Sequence, residues 1–173
     1  MTQKQKIKTA TQALEKPPHK VAGMETVNRC PECGQVWQVE GLTCQDDFHQ
    51  LLFWENEFPE FGEVHHYMVL CYYMQHPRLY SPQTLASSKK MLADFLQGTS
   101  PSEMRHSLRD EVSSSKRTWK ITGTPDAFGQ YQNPVTWTMR VHDVVAHGPE
   151  GYIERVQAWA QHLYEDLKAS GNL

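Results

Sequence analysis

Three cysteines and three histidines carry the chemistry that can be read in this chain. Cys30-Pro31-Glu32-Cys33-Gly34 places two sulfurs three positions apart, so one tight turn can offer both to a single soft metal ion. Proline fixes the approach, and a glycine after the second cysteine permits the left-handed backbone that turns amide N–H groups toward sulfur. Cys44 supplies a third thiol. His49, in the first turn of a predicted helix, has the spacing to complete a tetrahedron, and His65 competes for that place if its helix folds back over the knuckle. The expected metal is zinc, held by Cys30, Cys33, Cys44 and either histidine. Cys71 lies in an apolar run and reads as a core thiol.

The surroundings suit a cation. No lysine or arginine occurs between Arg29 and Arg78, whereas the interval holds Glu32, Glu40, Asp46, Asp47, Glu55, Glu57, Glu60 and Glu63. A second constellation runs along the helix expected at 63–76. His65, Val69, Tyr72 and His76 share one face, but His65 and His76 are separated by roughly 16 Å of helix and cannot hold one ion. Glu55, on the apolar stripe of the preceding helix, needs a partner there, and His65 is the natural one. Glu55, His65, Tyr72 and His76 are therefore the candidate catalytic residues of an alternative reading, a metal-dependent hydrolase or transferase. A third group, His142, Asp143 and His147, reads as exposed polar residues at a strand end. No phosphate loop, dinucleotide fingerprint, nucleophile elbow or His-Glu-x-x-His motif occurs.

These residues need helices to position them. The chain has 173 residues, 39% of them hydrophobic and 21% charged, which fits one domain with a proper core. Asp46 or Asp47 can cap a first helix ending near Phe58, with Phe48, Leu51 and Leu52 on its buried stripe. A second helix stops at His76 before Pro77. Ser81-Pro82 starts a third, buried through Leu85, Leu92, Phe95 and Leu96, and Gly98 ends it. Ser100 to Glu103 is a capping box for a fourth, with Met104, Leu108 and Val112 at spacing four. Residues 113–134 read as a long loop packed by Trp119, Phe128 and Tyr131. Val135, Trp137, Met139 and Val141 alternate with polar residues and predict a strand. Tyr152, Val156, Trp159, Leu163 and Leu167 mark the last helix. The expected fold is mainly α: one helical domain over 28–168, with a small cysteine knuckle at 28–45 that has room for a short β-hairpin. Residues 1–26 read as a disordered lysine-rich tail and 169–173 as a short C-terminal one.

Net charge is −3, but the first 20 residues carry five lysines against Glu15, leaving 12 basic and 19 acidic residues in the remainder. An acidic body gives no electrostatic reason to seek phosphate backbones, so nucleic acid is disfavoured as a partner. No stretch is apolar enough to span a membrane and no secretory signal is evident, so the expected setting is cytoplasmic, where cysteines favour metal over disulfides. The aromatic last helix serves a core or a homodimer seam equally well.

Cys30-Pro31-Glu32-Cys33-Gly34, the segment FHQLLFWE at 48–55, Val64-His65 and the helix end YYMQHP at 72–77 together resemble an uncharacterised bacterial domain family. That family has a CPxCG start, a Tyr-x-x-Gln-His-Pro helix end, and a last helix with a tryptophan-alanine pair like Trp159-Ala160. The resemblance covers residues 28 to about 168. It implies a shared fold and a shared site at Cys30, Cys33, His65, Tyr72 and His76, and it implies no activity.

Overall fold

The computed structural model describes residues 29–37, 42–107, 109 and 118–173. The tail expected at 1–26 lies outside the described residues, as do Leu108 and Val112. The architecture is helical: α1 (Cys44–Glu57), a 3-10 segment (Pro59–Val64), α2 (His65–Gln75), a 3-10 turn (Pro77–Leu79), α3 (Pro82–Leu96), α4 (Pro101–Ser107), α5 (Val141–Val145) and α6 (Tyr152–Ala169). Among the described residues there is no β-sheet. The hairpin at the knuckle reduces to one antiparallel bridge, Arg29 with Val36.

Helix α6 is the centre of the packing. Tyr152, Val156, Trp159, Ala160, Leu163 and Leu167 are all at most 1% exposed, and they meet α2, α3 and the first 3-10 segment. Spacing of three and four residues puts all of them on one stripe, so removing that stripe from water supplies much of the apolar burial of the domain. Helix α1 packs on α5. Phe48, Leu51 and Trp54 are its buried face. α1 begins three or four residues earlier than expected, because Thr43 and not Asp46 or Asp47 is its cap. The Thr43 side chain accepts from the Asp46 amide, and Asp46 returns a bond to the Thr43 N–H at 2.7 Å. Cys44 is thereby the first helical residue.

Ser81 caps α3 by accepting from the Thr84 amide at 3.2 Å. The Ser100–Glu103 capping box forms, with Glu103 accepting from the Ser100 N–H at 2.8 Å. The strand expected at 135–141 does not form. Burial still alternates, with Trp137 and Val141 buried and Thr136 and Thr138 exposed, but no second strand runs alongside. Side chains satisfy this backbone instead: Thr138 N–H donates to Asp166 at 2.8 Å, Arg140 N–H to Asp143 at 2.7 Å, and Gln75 donates to the Met139 carbonyl at 2.7 Å.

The loop at 118–134 before it is pinned by backbone bonds to the turn after α2. Gly123 N–H donates to Leu79, Ser81 N–H to Ile121 and Gly129 N–H to Tyr80. Phe128 lies under the Arg78 guanidinium at 4.4 Å, and Tyr131 meets Trp137 edge-on. At the C-terminal end Asn172 is 4% exposed, and its Oδ1 accepts from the amides of Gln132 and Asn133. The last residues thus hold this loop, where a short tail was expected. No helix among the described residues is long and apolar enough to cross a membrane.

Candidate metal centre

Three elements converge on one point. The knuckle brings Cys30 and Cys33, the start of α1 brings Cys44, and the end of α2 brings His76. Their donor atoms all lie within 4.8 Å of one another, and the four residues are between 1% and 6% exposed. Nε2 of His76 is 3.1 Å from Sγ of Cys44 and 3.6 Å from Sγ of Cys30. Sulfur-to-nitrogen edges of a zinc tetrahedron come to about 3.5 Å. The four donors can hold a metal ion.

Local structure explains each position. Gly34 adopts φ +71°. Its N–H donates to the Cys30 carbonyl at 3.0 Å, while the Cys30 N–H donates to Gln35 at 2.8 Å, closing the knuckle as a tight turn. Cys44 sits on the first turn of α1, where unpaired amides favour negative sulfur. His76 ends α2 ahead of Pro77, which cannot continue the helix. Its Nδ1–H donates to the Tyr72 carbonyl at 2.7 Å, which reserves the Nε2 lone pair for the cluster. The Tyr72 ring lies 4.3 Å from the imidazole and stacks on Phe48 at 4.0 Å, walling the site from water.

An outer clamp holds the knuckle. Arg140 Nε donates to the Cys33 carbonyl at 2.8 Å, and the buried amide of Gln35 donates to Asp47 at 2.6 Å. His142 Nδ1 lies 3.2 Å from the same Asp47 carboxylate, and the His142 N–H donates to Gln35. Asp143 caps the Arg140 amide, and His147 is exposed.

Electrostatics point the same way. Hydrogen bonding from Cys33 and then Cys44 holds the Cys30 thiol far below its usual range. Hydrogen bonding to Cys30 and Cys33 pushes Cys44 far up, because adjacent sulfurs cannot all carry charge without a cation. Burial opposes charge on His76, yet contact with Cys30 and Cys33 outweighs it and pushes the imidazole up to about 10. An imidazole proton supplies the positive charge that the sulfurs demand, and a divalent ion would take over that role and release it.

The donor brought to the three sulfurs is His76, where the spacing favoured His49 or His65. His49 projects outward from α1 and is exposed, since the stripe that faces the cysteines is one position away at Phe48. His65 begins α2, eleven residues before His76, and pairs with Glu55 at 2.5 Å. The four residues of the alternative site accordingly fall into two places, Tyr72 with His76 at the sulfurs and Glu55 with His65 at the far end of α2. Cys71 is fully buried, and burial pushes its thiol well up. The available signal for His76 was its position at the helix end, immediately before Pro77.

No curated protein and no solved structure matches this chain. A family model described as "Family of unknown function (DUF5946)" matches residues 28–168, from just before the knuckle to the end of α6. The chain belongs to that family.

Proposed function

We propose that this is a zinc-stabilised helical domain with a binding or scaffolding role in a reducing, cytoplasmic setting. The observation that carries the zinc is the closed set of four buried donors, Cys30, Cys33, Cys44 and His76, with the His76 tautomer set by Tyr72. Soft thiolates with one imidazole in a tetrahedral arrangement favour zinc over hard cations. Four protein donors leave no open position for water or substrate, which supports a structural over a catalytic ion. Such an ion contributes directly to folding, because it ties the knuckle to two helices that are marginal alone.

Purified chain should contain about one zinc per molecule by elemental analysis. Chelation should lower its Tm, and added zinc should restore it. A chain isolated without metal, unable to take up zinc and indifferent to chelator, would end the proposal.

A further inference from the structure

A second cleft lies at the opposite end of α2 from the sulfurs. Its volume is about 470 Å³, within the ~300–1,000 Å³ typical of small-molecule sites. Val69 and Leu70 of α2, Met91 and Phe95 of α3, and Met104 of α4 form apolar walls. Among the described lining residues, those with ionisable side chains are His65, His66 and Arg105, and none is acidic. That is unexpected on a body with an excess of carboxylates.

His65 is also built in. The buried Tyr152 hydroxyl donates to Glu55 Oε1 at 2.9 Å, and Glu55 Oε2 lies 2.5 Å from His65 Nδ1. The Glu55 side chain is 8% exposed, against 54% for His65. A nearly buried carboxylate, held from behind by a phenol, fixes one edge of an imidazole and leaves the Nε2 edge for whatever occupies the cleft. Arg105 is anchored to its own helix by Nε donating to the Pro101 carbonyl. Burial, and then the neighbouring His65, lower the pKa of His66, so it serves as a ring in the wall, edge-on to Phe95. Among the described lining residues there is no serine, threonine or cysteine.

We infer that this cleft binds a medium-chain fatty acid, with the carboxylate between His65 and Arg105 and the chain along Val69, Leu70, Met91, Phe95 and Met104. Charge complementarity selects the head group and the apolar walls select the tail. The site is independent of the zinc reading, because His65 and His76 are separated by roughly 16 Å of helix.

The test is titration of the zinc-loaded full chain with decanoate and with decanol, followed by calorimetry and by the methyl resonances of labelled methionines. Decanoate should bind saturably, shift Met91 and Met104 and leave the core residue Met74 unmoved. Decanol, with the same tail and no charge, should bind at least about tenfold more weakly. Arg105→Gln and His65→Gln, both at exposed positions, should each weaken decanoate about tenfold while leaving decanol affinity unchanged. Equal affinity for acid and alcohol, indifference to both substitutions, or no saturable binding would each overturn the inference. The last result would leave the groove to a protein segment, whether of this chain, a second copy or a partner.

Discussion

The carbonyl oxygen of Tyr72 accepts a hydrogen bond from Nδ1 of His76 at 2.7 Å, one turn along α2. That bond would be an ordinary helix-end contact were it not for the other ring nitrogen, which faces three sulfurs. It converts a flexible imidazole with two tautomers into a donor of fixed orientation, and it makes the helix end part of the site.

The sulfur set is tested first. Cys33→Ser should abolish tight zinc binding and strongly lower Tm, because no neighbour can replace a sulfur from the same turn. Cys71→Ser should keep full zinc stoichiometry, since Cys71 is outside the cluster and fully buried among core residues. Elemental analysis and thermal melts of the two variants check this. Full zinc in Cys33→Ser with loss in Cys71→Ser would mean the wrong sulfurs.

Histidine replacements discriminate the fourth donor. His76→Ala should weaken zinc by more than the ~10–100-fold typical of losing an outer-shell partner. His49→Ala and His65→Ala should change zinc affinity little, because one is exposed on α1 and the other is paired with Glu55. Competition with a chromophoric chelator reads all three. A marked loss in His49→Ala alone would return the assignment to the one favoured by spacing.

The pinned loop predicts a steric pair. A Cβ at Gly123 would stand 2.2 Å from the Arg78 carbonyl oxygen and 2.6 Å from that of Tyr80. Neither backbone atom can yield cheaply, so Gly123→Ala should cost at least the ~1–3 kcal/mol of an overpacked core. Gly62→Ala meets nothing within 4 Å and should leave the denaturation midpoint unchanged or slightly raised. Urea titration separates them.

Alkaline pH should unfold the protein through its buried phenols. Burial pushes Tyr80 up to about 12 from its ordinary 10.0, and it also raises Tyr131 and Tyr152. The folded state keeps these groups neutral while the unfolded chain ionises. Their contribution to stability is therefore complete below about pH 10 and is lost as pH climbs from there toward 12. Tyrosinate absorbance rising together with loss of helical circular dichroism would be the expected result. Ionisation of all the tyrosines near their ordinary value with the helices intact would contradict it.

Much of the helical frame was legible because its signals are local. Ser81-Pro82, the Ser100–Glu103 box, the stop at Pro77 and the α6 stripe each act within a few residues. The strand at 135–141 failed for a nonlocal reason. Its alternation correctly marks which side chains are buried, but a strand also needs a partner, and Asp166, Asp143 and Gln75 satisfy the segment instead. The two sulfurs of the knuckle were readable from spacing. The fourth donor was not, since His76 lies 46 positions from Cys30 and reaches it only because α1 and α2 fold back together.

That separation has a consequence for the chain as it is made. His76 follows Cys44 by 32 positions. At ~5–20 residues per second, roughly two to six seconds of translation separate the last sulfur from the imidazole. During that interval the nascent chain presents three thiols without their nitrogen, a clasp better suited to thiophilic ions such as copper(I) than the finished site. The completeness of the donor set is then a matter of timing on the ribosome as well as of the finished geometry.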